Sequence, residues 1–270
     1  MKLNDPVHIG TSFLDLLQRA GDAIMEVYGT NFTAEQKADK SPLTLADKRS
    51  HEIISSHLQS TYPFPILSEE GKQIPYEERR SWKNFWLVDP LDGTKEFINR
   101  NGEFTINIAF LHDNIPVIGI IYVPVRKILY YALKGAGAYR TENGVTVSLP
   151  IQTDRKTLTV VGSRSHPSPE FEEYIRTVRS QYGEVAFRTT GSAHKFCLLA
   201  KGAVDIYPRF GPTMEWDIAA GQVLVEETGG KMVGVDGITP LSYNKQNLLN
   251  PYFLAYSGVW LARSGHGKQK

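Results

Sequence analysis

The sequence predicts an α/β protein, an α+β layered sandwich in which helix layers and sheet layers alternate. Three observations point there. Residues 104–111, 117–123 and 128–133 are runs rich in Ile, Val, Tyr and Phe, separated by the turn sequences His112-Asp113-Asn114 and Pro124-Val125-Arg126, which predicts an antiparallel meander. From Leu158 onward, strands predicted at 158–161, 185–188, 204–207, 231–235 and 253–256 alternate with helices at about 169–181, 192–201 and 217–228, the pattern of a mixed sheet. The chain shows no internal repeat, so the change of pattern sets the expected division: an N-terminal α+β half over 1–150 and a C-terminal α/β half over 151–270, packed as one unit.

In chain order, Phe13, Leu16, Leu17, Ala20, Ile24, Val27 and Tyr28 recur at three and four, predicting an amphipathic helix over 12–28 opened by Thr11 or Ser12. A second helix is expected over 45–58, with Ile53, Ile54 and Leu58 as its apolar face and Thr44 followed three residues later by Asp47 as a capping-box variant. Phe85-Trp86-Leu87-Val88 reads as a buried strand that stops at Asp89-Pro90 and delivers a loop. Cys197, the single cysteine, sits in the apolar stretch Phe196–Leu199; it cannot form an intramolecular disulfide and is expected in the core. Ser264–Lys270 is a polar tail.

Composition narrows the classes of partner. A chain of 270 residues can bury about three-quarters of its surface, and 41% hydrophobic with 22% charged residues is an ordinary globular balance. With 30 Lys+Arg against 29 Asp+Glu, the net charge of +1 supplies no global field for a nucleic-acid polymer or an anionic membrane, so a small-molecule partner is expected. The longest apolar run, Ile115–Val125, is broken by two prolines and is too short to span a bilayer. An early acid and proline at Asp5-Pro6 interrupt any signal peptide, and with one cysteine this predicts a cytoplasmic protein.

The chemistry gathers in acids. Asp89-Pro90-Leu91-Asp92-Gly93-Thr94 carries two carboxylates three residues apart, Glu69-Glu70 follows the apolar pair Ile66-Leu67, and Asp217 opens a predicted helix behind Trp216. Convergent carboxylates need cations, and all-oxygen ligands select hard ions such as Mg²⁺, Mn²⁺ or Ca²⁺. Gly93 before Thr94-Lys95-Glu96-Phe97 looks like a helix start, where free N–H groups receive an anion. Metal and phosphate sites side by side are what metal-assisted phosphate ester hydrolysis uses. Taken singly, each group also has a structural explanation: turn chemistry for Asp-Pro and Asp-Gly, a solvated face for Glu-Glu, a helix cap for Asp217 and for Asp47.

These residues resemble the lithium-sensitive, Mg²⁺-dependent inositol monophosphatase superfamily. Asp89–Thr94 fits its D-P-[IL]-D-G-T signature, Trp216-Asp217-Ile218-Ala219-Ala220-Gly221 fits W-D-x-A-A-G, Ser68-Glu69-Glu70 fits [GS]-E-E, and Thr44–Asp47 fits [TV]-x-A-D. The resemblance implies the layered fold of the sugar-phosphatase type and two or three Mg²⁺ ions, for which Mn²⁺ substitutes. It assigns Glu69, Asp89 and the Leu91 carbonyl to one ion, Asp89, Asp92 and Asp217 to a second, and Glu70 to a weaker third. It gives Asp47, Thr94 and Glu69 the task of orienting the attacking water, and rests the phosphate on the N–H groups of Gly93 and Thr94.

The later segments resemble the 3′(2′),5′-bisphosphate nucleotidases of bacterial CysQ type. Gly191-Ser192 precedes Lys195, and Arg209 follows in Tyr207-Pro208-Arg209-Phe210-Gly211-Pro212-Thr213; Gly162–His166 fits the same pattern. The resemblance implies that Gly191, Ser192, Lys195, Arg209 and His166 contact a bisphosphorylated nucleotide. A lysine and an arginine suit a second phosphate, which an inositol monophosphate lacks. The expected reaction is removal of the 3′-phosphate of adenosine 3′,5′-bisphosphate to give AMP and phosphate, extending to 3′-phosphoadenosine 5′-phosphosulfate and a link to sulfate assimilation, with peripheral contact on the cytoplasmic side of the inner membrane. The alternatives are an inositol or sugar monophosphatase on the same metal site and a non-catalytic, metal-dependent nucleotide sensor. A phospho-aspartate enzyme of the D-x-D-G-T kind is disfavoured, because two residues, Pro90 and Leu91, separate the acids.

Overall fold

A computed structural model describes residues 5–30, 42–151, 155–163 and 168–265 of the chain; His166 lies outside the described residues. Helix α1 (Pro6–Tyr28) begins earlier than its apolar stripe. The Asp5 side chain accepts from the Val7 N–H at 2.9 Å and Pro6 occupies the first turn, where its missing N–H costs nothing. Helix α2 (Pro42–Thr61) likewise has a proline at its first described residue, so Thr44 lies within the helix and not ahead of it as expected. Asp47 instead sits in the second turn on the buried side.

A seven-stranded sheet follows: β1 (Ile66–Ser68), then after the short helix α3 (Tyr76–Arg79) β2 (Asn84–Asp92), then after helix α4 (Thr94–Ile98) the meander β3 (Thr105–His112), β4 (Ile115–Val123), β5 (Ile128–Leu133), β6 (Gly137–Glu142) and β7 (Val145–Leu149). β1 runs parallel to β2, and every later neighbour is antiparallel. The hairpin β6–β7 was outside the expected meander. Asn143 and Gly144 both take positive φ (50° and 75°), the turn that Asn-Gly favours between two strands.

The second sheet contains β8 (Leu158–Ser163), then, after helix α5 (Pro169–Tyr182), β9 (Val185–Thr190). Helix α6 (His194–Ala200) leads to β10 (Ile206–Arg209), and helix α7 (Glu215–Glu227) to β11 (Lys231–Gly234) and β12 (Phe253–Tyr256), followed by helix α8 (Gly258–Ser264). The strand order is β11-β12-β10-β8-β9, with β8 parallel to both β9 and β10 and β12 antiparallel to its neighbours. Asp217 therefore lies in the first turn of α7, not at its opening, and Arg209 closes β10.

Five layers result, as the predicted α/β sandwich requires. Along β2, Trp86 and Val88 face a core with α1 and α2, while Phe85 and Leu87 face a core shared with α6, α7 and the second sheet. Both faces are buried, which is why this strand reads as an unbroken apolar run. Cys197 is fully buried in the same central core. On the outer face of the second sheet, Leu158, Val160 and Ile206 pack with Ile175, Val178 and Trp260 of α5 and α8. The central core draws residues from both halves of the chain, among them Leu87, Ile121, Ala219 and Phe253.

Candidate active site

The end of β2 is the centre of the site, and its geometry corrects the expectation of a strand stopping before Asp89. The strand continues to Asp92 with a bulge: Asp89 pairs with Asn107 and Asp92 with Thr105, so three steps on β2 oppose two on β3. Asn107 and Thr105 are two apart and share a face; the extra residue in β2 puts Asp89 and Asp92 on that face too. The Leu91 N–H donates to Asp89 Oδ1 at 3.0 Å, and the Ser50 hydroxyl of α2 donates to the Pro90 carbonyl at 2.8 Å, fixing the distorted segment.

Asp92 is held from two sides. Its Oδ2 accepts from Asn107 Nδ2 at 3.3 Å and from the Ala193 N–H at 2.6 Å, and Asn107 Oδ1 in turn accepts from the Thr105 hydroxyl at 3.0 Å. Asn107 and Thr105 were not singled out from the sequence, although two polar residues at strand spacing in an otherwise apolar run were a readable signal. Gly93 adopts φ +100°, a left-handed turn that an L side chain resists, and from it α4 starts with Thr94 exposed.

One carboxylate oxygen each of Glu69, Asp89 and Asp217 lies within 4.8 Å of the others. Glu69 is at the mouth and Asp89 is 1% exposed. The Met214 N–H donates to Asp217 Oδ2 at 2.8 Å, so the helix-cap reading of Asp217 holds while its carboxylate also reaches the acid group. Burial, followed by the charges of Asp92, Glu69, Asp217 and Asp47, raises Asp89 well above the carboxylate range. Burial and then Asp92 and Glu70 push Glu69 up to about 7, and burial with Glu70 and Glu69 pushes Asp47 up to about 8. Acids this crowded ionise together only beside cations. The all-oxygen donor set fits hard divalent ions, a zinc site built on nitrogen or sulfur being absent from it.

Leu91, Asp92, Gly93, Thr94, Ser192, Lys195 and Arg209 line the same cavity as Glu69, Asp89 and Asp217, a cleft of about 270 Å³. Asp47 is buried on α2 behind the acids. Glu70 and Gly191 stand outside the lining: Glu70 raises the pKa of Asp47, and the Gly191 N–H donates to Glu103. Lys195 is 5% exposed; its Nζ donates to the Thr190 carbonyl at 3.3 Å and lies 5.4 Å from the centre of the Tyr207 ring. Burial lowers its pKa to about 8, opposed by Asp92 and reinforced by Arg209. Arg209 donates from Nη2 to the Pro212 carbonyl at 2.9 Å, while its buried Nε–H has no acceptor among the described residues.

The model of the inositol monophosphatase family matches residues 9–262. The 3′(2′),5′-bisphosphate nucleotidase CysQ of Salmonella typhimurium is 45% identical over 242 residues, 88% of this chain and 95% of the relative. That of Escherichia coli K12 is 44% identical over the same coverage. Among solved structures, CysQ from Bacteroides thetaiotaomicron, described as a bacterial member of the inositol monophosphatase family, superposes with a TM-score of 0.84 at 44% identity, covering 90% of this chain and 95% of that one. No helix among the described residues is long and apolar enough to cross a membrane.

Proposed function

The chain belongs to the inositol monophosphatase family, and on that premise we propose that it is a Mg²⁺-dependent 3′(2′),5′-bisphosphate nucleotidase that removes the 3′-phosphate of adenosine 3′,5′-bisphosphate, yielding AMP and phosphate. The observation that carries the reading is the joining, in one cleft, of the Glu69–Asp89–Asp217 carboxylates with two buried or half-buried cations, Lys195 and Arg209. Acids alone suit any metal-assisted phosphatase. A lysine and an arginine beside them, one with an N–H still lacking an acceptor, suit a substrate with a second phosphate.

In this reading Glu69, Asp89 and the Leu91 carbonyl would hold one Mg²⁺, Asp89, Asp92 and Asp217 a second, and Glu70 would support a weaker third, with Mn²⁺ as a substitute. Bound there, divalent ions lower the pKa of water and offset charge on the phosphate oxygens. The chain supplies the rest. The N–H groups of Gly93 and Thr94 receive the phosphate at the start of α4, which fixes the phosphorus for in-line attack. Thr94, Asp47 and Glu69 orient the water; the bond from phosphorus to the ribose 3′-oxygen breaks as the bond from water oxygen forms. The proton lost by the attacking water balances the one gained by the departing ribose 3′-oxygen, and Asp47 stays an orienting group, its carboxyl being raised to about 8 in the metal-free fold by burial and by Glu70 and Glu69. Ser192 shapes the wall beside the nucleotide with Gly191 supporting it from outside the lining, Lys195 and Arg209 pair with its 5′-phosphate, and His166 is assigned to the base or ribose. The sulfated analogue, 3′-phosphoadenosine 5′-phosphosulfate, offers the same 3′-phosphate and is proposed as a second substrate.

Phosphate release from adenosine 3′,5′-bisphosphate and from inositol 1-phosphate, each with and without Mg²⁺, tests this. The expected result is Mg²⁺-dependent release, inhibited by lithium, with the nucleotide preferred. Equal or better turnover of the inositol ester would make the chain a monophosphatase, and binding without release from either would make it a sensor.

A further inference from the structure

The loop Gly191-Ser192-Ala193 brings the second half of the chain to the cavity, and two carboxylates from the first half hold it. The Ala193 N–H donates to Asp92 Oδ2 at 2.6 Å and the Gly191 N–H to Glu103 Oε2 at 2.9 Å. Ser192, between the two anchored amides, is kept at φ +48°, a left-handed conformation that a non-glycine residue holds only when its surroundings impose it. Glu96 packs directly over Gly191, where a Cβ would come within 2.2 Å of the Glu96 Cγ, so the loop backbone has no room to shift toward α4. Lys195 follows within one helical turn, and its Nζ is tied back to the Thr190 carbonyl, immediately before the loop. The positions of the Ser192 hydroxyl and the Lys195 ammonium thus depend on where Gly191 is fixed.

Glu103 differs from Asp92 in one respect. It does not line the cavity and is not one of the gathered acids, so its contact with Gly191 is separable from metal binding. We propose that Glu103 is a positioning residue that sets the preference for substrates with a second phosphate, by anchoring Gly191 and through it Ser192 and Lys195. The proposal rests on the reading of Lys195 as a partner of that phosphate. Its physical basis is a charge-assisted hydrogen bond to a buried amide; without it the amide loses its acceptor and Ser192 is freed to leave its left-handed conformation.

The test compares two substrates that differ only in the 5′-phosphate, adenosine 3′,5′-bisphosphate and adenosine 3′-monophosphate, on the wild type and on Glu103→Ala, Glu103→Gln and Glu103→Asp. Glu103→Ala should raise KM for the bisphosphate about tenfold with kcat nearly unchanged, and leave both constants for the monophosphate unaltered. Glu103→Gln keeps an acceptor oxygen at the same reach and should restore most of the lost affinity. Glu103→Asp, shorter by one methylene, should give an intermediate KM and carries the test if the alanine variant does not fold. Hydrogen exchange at the Gly191 amide should quicken in the order of the KM increases. Equal losses on both substrates, no loss on either, or a glutamine variant as poor as alanine would overturn the assignment of Glu103. A wild type that treats the two substrates alike would instead overturn the second-phosphate reading, and this proposal with it.

Discussion

On the proposed reading Lys195 is expected to decide between substrates, because it is buried in the cleft and burial leaves its proton loosely held. Burial lowers its pKa to about 8, so it is charged at neutral pH and neutral at pH 9. Replacing it with alanine is expected to lower kcat/KM on adenosine 3′,5′-bisphosphate by one to two orders of magnitude, roughly the worth of a charge-assisted phosphate contact, with a much smaller loss on adenosine 3′-monophosphate. In the wild type, kcat/KM for the bisphosphate should fall more steeply between pH 7 and 9 than that for the monophosphate, and in the alanine variant the two profiles should run parallel. Steady-state kinetics across that range check both. The acids of this site were legible because a signature fixes residue types at fixed spacing: Glu69, Asp89 and Asp217 do converge. Asn107 was marked only as a polar residue at strand spacing from Thr105, and Glu103 not at all, because nothing local names a partner 15 or 88 residues away.

The decisive element is β2, where a bulge turns a strand into a site. Two acids three apart on a regular strand would point to opposite faces, and only the added residue between Asp89 and Asp92 aligns them. Asn107 on β3 reads out that alignment, linking the Thr105 hydroxyl to Asp92. Replacing Asn107 with leucine removes a hydrogen-bond donor from Asp92 and the acceptor of a buried hydroxyl. Stability should fall by about 1–3 kcal/mol in urea denaturation, and kcat should drop about tenfold on bisphosphate and monophosphate alike, in contrast to Glu103 variants. Element boundaries show what sequence patterning could and could not reach. Apolar spacing located α1, α2 and the meander, but the start of α1 at Pro6 is set by the Asp5 cap and proline geometry, which lie outside the apolar stripe. The hairpin β6–β7 has exposed residues on an edge strand, with Val145 64% exposed, so hydrophobic patterning is weak there and only Asn143-Gly144 signals it.

At the scale of the molecule, a net charge of +1 conceals an acidic cleft inside a balanced surface, and that imbalance is stored as folding free energy. Unfolded, Asp and Glu ionise near pH 4. In the metal-free fold Glu69 keeps its proton up to about 7 and Asp47 up to about 8, so the fold binds more protons than the unfolded chain across that interval and loses stability as pH rises. Histidines act with the opposite sign: burial lowers His51, His57 and His194, the last to about 4, so the fold gains stability as pH rises toward their ordinary value of 6.5. Lys195, lowered to about 8, adds stability only above that pH. The interval from about 6.5 to 8 therefore isolates the carboxylates. In the presence of a chelator the melting temperature should decline across this interval, and saturating Mg²⁺ should raise it by an increment that grows from pH 6.5 to 8, since the ion displaces protons that are progressively easier to lose. Asp47→Asn, which removes the acid with the higher pKa, should flatten the chelated curve above pH 7. Differential scanning fluorimetry at four or five pH values settles the point: an increment independent of pH would mean that the acids are neutralised within the protein rather than by the ion.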